Sequence, residues 1–350
     1  MGTQMRKHKT AIMFGLAVFL LAVVLLSVSI GPVRITVPEI IKIVLHKVGI
    51  YRNTGGWQAV QESILFQVRL PRVLGAVLVG AALSTAGVLF QGLFRNPMAD
   101  PYIIGTASGA AFGATLAMLL PLSLVFYGFG LVPIAAFLGA LGSVLLVYRL
   151  ARFGGKAPII SMLLAGFVTS SFLVAIIMLL LTMSDRLGLK IQQVFSFLMG
   201  GITVTYWQQI EVIAPLVVLG IVAAMFFAVK LNAFSIGEEG AAYLGINVER
   251  EKMIILGVGS LLTACAVSIG GLIGFVGLII PHAMRLILGP DHRLLIPASA
   301  LAGAAFLVIA DLLARTLLSP AEIPVGVLTA LIGAPFFLYL LRRSRREYAF

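Results

Sequence analysis

Stretches of about twenty apolar residues, each closed by charge, glycine or proline, recur along most of this chain, and nothing else in it restricts the fold so strongly. One helical crossing of a bilayer needs about 20 such residues. Runs of this kind fall near residues 11–30, 71–91, 103–120, 132–150, 158–181, 207–229, 253–269, 272–288, 296–313 and 323–341. They predict an all-α integral membrane protein of about ten transmembrane helices, with residues 1–350 forming a single polytopic domain. Composition agrees: 60% of residues are hydrophobic and only 11% charged, outside the range of soluble chains. The first run follows Arg6, Lys7 and Lys9, as a signal peptide would, but it is too long for one and reads as a retained first span.

An even number of spans puts both termini on one side. Both are basic, with Arg6, Lys7 and Lys9 at the start and Arg342, Arg343, Arg345 and Arg346 at the end, so that side is cytoplasmic. On this assignment sixteen of the 25 Lys and Arg residues lie inside. Most of the others belong to the long first outer segment, where "VPEIIKIVLHKVGI" reads as an amphipathic surface helix. The split at 270 rests on a tight turn at Gly270 and Gly271; one kinked span there would put the termini on opposite sides. The net charge of +12 is explained by these loops, because the basic residues form no aromatic-interleaved patch for nucleic acid.

The single cysteine, Cys265, lies in an apolar run and reads as packing. In "GTASGAAFG", Gly105, Gly109 and Gly113 recur every four residues, a face that lets another helix approach closely or that lines a pathway. Span interiors hold almost no ionisable groups: Glu211, His282, Arg285 and Asp311 all fall near span ends. A proton- or sodium-coupled carrier normally places such groups within the bilayer. No nucleotide site replaces them, since in "FGGKAP" Lys156 is followed by Ala157 and the upstream glycine of a phosphate loop is absent. Four histidines without an H-E-x-x-H pattern leave no metal or catalytic site and no bound cofactor. A transport protein so equipped is either an ATP-independent channel or secondary transporter, or is driven by a partner.

The polar stretch 234–252, "FSIGEEGAAYLGINVEREK", bears on that choice. Ser235 can cap a short helix, Glu238 and Glu239 suit its first turn, and Gly245 can end it. Such an element is either a rigid knob for a soluble partner or a solvated connector.

Three segments carry a family resemblance: "RLPRVLGAVLVGAALSTAGVLFQGLFRNPMADPYIIGTASGAAFG" (69–113), "GEEGAAYLGI" (237–246) and "GLIGFVGLIIPHAMRLILGPDHRLLIPASALAGAAFLVIADLLAR" (271–315), with "EIPVGVLTALIGAPFFLYLLRR" matching at the last span. Together they closely resemble the FecCD family, permeases of type II ABC importers for iron(III)-siderophores, haem and vitamin B12. The resemblance implies a plasma-membrane subunit of a bacterium or archaeon, paired with a second permease copy, a cytoplasmic ABC ATPase dimer and an extracytoplasmic substrate-binding protein, with ATP and Mg held by the ATPase. It also implies roles for residues. Ser235, Gly237, Glu238, Glu239, Ala241, Ala242, Leu244 and Gly245 match coupling helices that seat in the ATPase. Arg69, Arg72 and Arg315 match arginines that meet carboxylates of the binding protein. Asn96 and Met98 match an inner gate, where Pro97 and Pro101 independently predict a non-helical connection. Ile159 and Ile160 fall at the second gate element, with bulky apolar side chains where the family has small hydroxylated ones. Gln91 is either a pathway residue or an interhelical hydrogen bond.

Overall fold

The structure, a computed structural model, describes residues 2–31, 33–50, 57–120, 122, 124–183 and 191–343, with side chains described for 9–339 within these ranges. Arg345 and Arg346 lie outside the described residues, as do the side chains of Arg6, Lys7, Arg342 and Arg343. Among the described residues seven helices are long and apolar enough to cross a membrane and three shorter ones are strongly apolar. They fall on the ten runs expected from the sequence. The chain runs α1 (Gly2–Ser29), α2 (Val37–Lys47), α3 (Ala59–Phe94), α4 (Thr106–Leu119), a two-stranded hairpin β1 (Val125–Phe126) and β2 (Phe129–Gly130), then α5 (Leu131–Ala151), α6 (Ile159–Thr182), α7 (Ile191–Met199) and α8 (Trp207–Phe226). It continues through α9 (Ala228–Phe234), α10 (Glu238–Tyr243), α11 (Val248–Gly270), α12 (Val276–Leu288), α13 (His292–Thr316) and α14 (Val325–Arg343).

Helix α3 is the centre of the bundle, flanked by α8, α11, α12 and α13. Its glycines explain how. A Cβ on Gly80 would stand 2.2 Å from the Gly303 carbonyl oxygen of α13, and one on Gly87 would stand 1.9 Å from that of Gly277 in α12. Backbones therefore touch where side chains would otherwise hold helices apart, which matters where burial against lipid drives nothing. The second such seam joins α4 to α5: Cβ atoms on Gly109 and Gly113 would meet the carbonyl oxygens of Gly139 at 2.3 Å and Ala135 at 2.1 Å. These two glycines thus pack helices. Gly105, in a left-handed turn (φ 87°) just before α4, continues the seam more loosely, its carbonyl accepting from Ser143 Oγ of α5 at 2.8 Å.

The split at 270 is real. Helix α11 stops at Gly270, and Gly271 (φ 60°) and Phe275 (φ 69°) turn the chain before the short α12 begins. Exposed backbone in a bilayer must find partners, and here the neighbouring 197–203 stretch supplies them: Gly201 N–H donates to Gly270 O at 2.9 Å, Thr203 N–H to Ile269 O at 2.9 Å, and Leu272 N–H to Phe197 O at 3.2 Å. The expected surface helix is present as α2, which begins where Thr36 N–H donates to Glu39 Oε2 at 2.6 Å and which buries Ile40 and Ile43.

Two elements went unread in the sequence. The β hairpin has only four paired residues and no alternation to announce it. Helix α7 does carry a signal, since Ile191, Val194, Phe195 and Leu198 share one face at helical spacing.

Candidate functional site

One end of the bundle gathers Lys9, Arg95, Arg285, Asp291 and His292 around a cavity of about 650 Å³. Beside it, at Ser235, the chain leaves α9 for the stretch singled out in the sequence. The structure corrects one detail there. Ser235 does not cap the following helix; it closes the last turn of α9, and its hydroxyl donates to Asn232 O at 2.6 Å. Gly237, at φ 106°, makes the turn into α10 instead, a conformation open to glycine and strained for other residues. Glu238 and Glu239 occupy the first turn of α10, where the helix dipole favours carboxylates. Ala241 is buried beneath the helix, Ala242 is exposed, and Gly245 (φ 80°) ends the excursion. What the knob offers outward is apolar: Tyr243 is 91% exposed, Ile236 66% and Leu244 63%.

The knob is tied to the bundle by charge. Lys252, in the first turns of α11 and only 1% exposed, has its ammonium 2.9 Å from Glu238 Oε2 and 2.9 Å from Glu249 Oε1, and donates to Ala157 O at 3.3 Å. Ala157 N–H in turn donates to Glu249 Oε2 at 3.0 Å. A second pair, Lys230 with Glu251 at 2.7 Å, joins α9 to α11.

The residues matched to an inner gate lie at this same end. Helix α3 stops at Phe94, Arg95 adopts a left-handed conformation, and the chain runs irregularly to Gly105, as Pro97 and Pro101 predicted. Asn96 Oδ1 accepts from Met98 N–H at 2.9 Å, which pins a turn and leaves the Met98 side chain exposed. Asp100 accepts from Tyr102 N–H at 2.8 Å, and burial pushes its carboxyl up to about 6. Ile159 packs partly on the core, whereas Ile160 is 81% exposed. Of the two readings of Gln91, the structure supplies the interhelical bond. It is buried, donates to Leu278 O at 3.0 Å and accepts from Arg285 Nη1 at 3.1 Å.

At the opposite end the three arginines part company. Arg69, in a π-type turn of α3, is buried and donates to the carbonyls of Val28, Ser29 and Val33. It staples the end of α1 and has no fork to turn outward, so the expectation of a docking role departs from its surroundings. Arg72 and Arg315 instead share Asp311, which has no exposed surface: Arg72 Nε lies 3.0 Å from Oδ1 and Arg315 Nε 3.0 Å from Oδ2. Arg315 also reaches Ser27 Oγ at 2.8 Å. The outer fork of Arg72 holds Glu322 through two bonds of 3.1 and 2.9 Å, and those bonds keep the Glu322 carboxyl below the usual carboxylate range. Arg72 and Glu322 line a second cavity of about 650 Å³ with residues of the hairpin, α7 and α8. Asp311 was noted in the sequence only as a charge near a span end, and Lys252 and Glu322 were missed. Asp311 with Arg315 and Glu249 with Lys252 are local helical pairs, but the partners that bury them, Arg72 for Asp311 and Glu238 and Ala157 for Lys252, are distant in sequence, as Arg72 is for Glu322.

The arrangement is a knob with an apolar tip at one end and paired arginines at the other, with ten apolar helices between them among the described residues. The model of the FecCD transport family matches residues 19–343. The cobalamin import system permease protein of Halobacterium salinarum is 42% identical, covering 93% of this chain and 94% of its own. The hemin transport system permease protein of Yersinia pestis is 40% identical, covering 81% of this chain and 84% of its own. A chain from a solved inward-facing structure, of an ABC transporter assigned to the metal-chelate type, superposes with a TM-score of 0.80 at 32% identity, covering 95% of this chain and 99% of that one.

Proposed function

The chain belongs to the FecCD transport family, and from that premise we propose that two copies of it form the path by which a metal chelate or corrinoid, such as an iron(III)-siderophore, haem or vitamin B12, enters the cytoplasm across the plasma membrane. It is the permease subunit of an ABC importer. Such a subunit works with an ATPase and with a substrate-binding protein.

On this proposal the segment from Ser235 to Gly245 seats in the ATPase, with Tyr243 and Leu244 as its apolar tip and Glu238 and Glu239 at its base. Closure of the nucleotide domains, which hold ATP and Mg, pushes α9 and α10 as a rigid piece and re-aims the spans around the axis between the copies. Arg72 and Arg315 meet carboxylates of the binding protein at the other end, because a guanidinium fork gives orientation as well as attraction. Asn96, Met98, Ile159 and Ile160 narrow the inner mouth; Gln91 fixes α3 to α12 behind it. The observation that carries the proposal is the α10 knob, short, apolar at its tip, and anchored by an internal ion pair at its base. A solvated connector needs neither the uncovered Tyr243 and Leu244 nor the bond from Glu238 to Lys252.

The test is reconstitution in liposomes with the partner ATPase and binding protein. Substrate-loaded binding protein should stimulate ATP hydrolysis and drive uptake, and Tyr243→Ala with Leu244→Ala should abolish both. Uptake by the chain alone, indifferent to ATP, would instead establish a channel or secondary transporter.

A further inference from the structure

Lys252 does something the proposed docking of α10 does not by itself require. Its ammonium is the common partner of three separate pieces of chain: Glu238 of the knob, Glu249 of its own helix, and the carbonyl of Ala157. Ala157 is fully buried and sits two residues before α6 begins at Ile159. Both of its backbone groups are held by side chains of α11, the N–H by Glu249 and the carbonyl by Lys252. The link from α5 into this point is a tight turn in which Phe153 and Lys156 exchange backbone bonds of 2.9 and 3.1 Å. The start of α6 therefore hangs on the same ammonium as the base of the knob.

Packing elsewhere makes that connection matter. Helix α6 is weakly embedded, with 17% of its apolar window buried inside the chain against 83% for α3. Displacing α6 breaks few contacts, whereas displacing α3 opens the backbone seams at Gly80 and Gly87. A buried ammonium held by two carboxylates resists being pulled from either one, since separation would strand charge in a poorly solvated place. A push on α10 is then carried to the element that yields.

We propose that Lys252 is the positioning residue that transmits movement of α10 to the start of α6, so that the knob and residues 157–160 travel together. This rests on the docking of α10 in the ATPase set out above. Glu238 supplies the driven end, Ala157 the following end, and Glu249 keeps the ammonium in line between them.

Two readouts test it. In liposomes with ATPase and binding protein, Lys252→Met is compared with the unsubstituted chain at equal amounts of assembled complex, so that substrate carried per ATP reads transmission and not docking. Substrate carried per ATP should fall at least fivefold, Glu249→Ala should reproduce the loss, and Lys252→Arg should restore most of it. Independently, spin labels at Glu239→Cys, exposed at the base of the knob and away from its apolar tip, and at Phe153→Cys in a Cys265→Ser background report the distance between the knob and the turn before α6. With Lys252 present that distance should be narrow and unchanged between nucleotide-free and ATP-bound complexes; with Lys252→Met it should broaden or shift. Wild-type transport per ATP in Lys252→Met, or a label distance that changes with nucleotide even when Lys252 is present, overturns the proposal. Failure of the unsubstituted chain to bind the ATPase would count against the docking of α10 instead, and the label distance in the chain alone would still decide whether Lys252 makes the tether.

Discussion

Replacing Gly87 by alanine adds one methyl group at the position where, among the described glycines, an added Cβ would come nearest a neighbouring backbone. Its Cβ would stand 1.9 Å from Gly277 O, whereas a carbon meets a carbonyl oxygen comfortably at about 3.3 Å. Helices α3 and α12 would have to part by about 1.4 Å, the difference between these distances. Neither partner is a side chain that can swing away. Gln91, one turn further along α3, would then be drawn off Leu278 O, where the bond is now 3.0 Å. Overpacking costs about 1–3 kcal/mol and the lost hydrogen bond about 1 kcal/mol, while replacing a helical glycine returns about 1 kcal/mol. The net loss is about 1–3 kcal/mol, and on the scale of 2–4 °C per kcal/mol the melting midpoint should fall by on the order of 5 °C. The control is Gly257→Ala on α11, where a Cβ meets nothing within 4 Å and only the gain of roughly 0.5–1 kcal/mol remains. The chain supplies its own reporter, because its single cysteine, Cys265, is buried and reacts with a thiol dye only on unfolding. Heating the purified protein in detergent with such a dye should give midpoints on opposite sides of the unsubstituted one. Equal midpoints for Gly87→Ala and Gly257→Ala would refute the claim that backbone contact at Gly87 sets the spacing of α3 and α12.

Three further outcomes follow from the charged groups. Asp311→Asn should destabilise the chain by about 3–5 kcal/mol, since it leaves two arginines facing a neutral group in a buried position; Glu322→Gln, on a side chain 54% exposed, should cost about 0–1 kcal/mol in the same dye assay. Glu322 also occupies the fork of Arg72 that the binding protein would need, so Glu322→Gln should tighten its binding to the reconstituted transporter by about two- to fivefold at low salt. That gain should shrink as salt screens the competing carboxylate, and weaker binding would count against Arg72 as a docking group. Asp100, raised by burial to about 6, holds its proton more tightly when folded than unfolded. Its contribution is complete below about pH 4 and lost as pH rises through about 6, so stability should be greater at pH 5 than at pH 7 by on the order of 1 kcal/mol, a difference that Asp100→Asn should remove.

The spans were legible because hydrocarbon demands continuous apolar runs, and the ends were legible wherever glycine, proline or charge interrupts them. The turn before α12 shows the limit. Gly270 and Gly271 announced a break, but nothing about Phe275 announces a left-handed residue, and the pairing of the broken backbone with the 197–203 segment reaches only residues 269–272. Ser235 misled for a related reason. A serine ahead of two glutamates has the form of a cap, yet Gly237 is the residue able to take the φ of 106° that the turn needs. Arg72 and Arg315 were readable as residues and not as environments: Arg72 meets Asp311 and Glu322 across 239 and 250 positions of sequence. Lys252 was least legible of all. In "NVEREK" it reads as one charge in a solvated run, and only the fold closes Glu238, Glu249 and Ala157 around it.

These placements divide the chain mechanically. Where α3 meets α12 and α13 the contacts are backbone on backbone, so a small relative movement loses close packing at once and finds no side chain to absorb it. Helix α6 has a lighter hold: Gly166 approaches the Ile103 carbonyl, Ser108 and Ser170 share a hydrogen bond of 3.1 Å, and one face is left largely uncovered within the chain. The ionic contacts follow the same division. The buried Asp311 cluster locks α3 to α13 within the stiff part, while the Lys252 cluster spans the boundary between the knob and α6. On the proposed docking, force entering at α10 would meet a stiff body on one side and a compliant helix on the other, and the compliant helix is the one expected to move. If α3 were instead the moving part, loosening its seam with Gly87→Ala should impair substrate carried per ATP more than Lys252→Met does; the packing requires the reverse order.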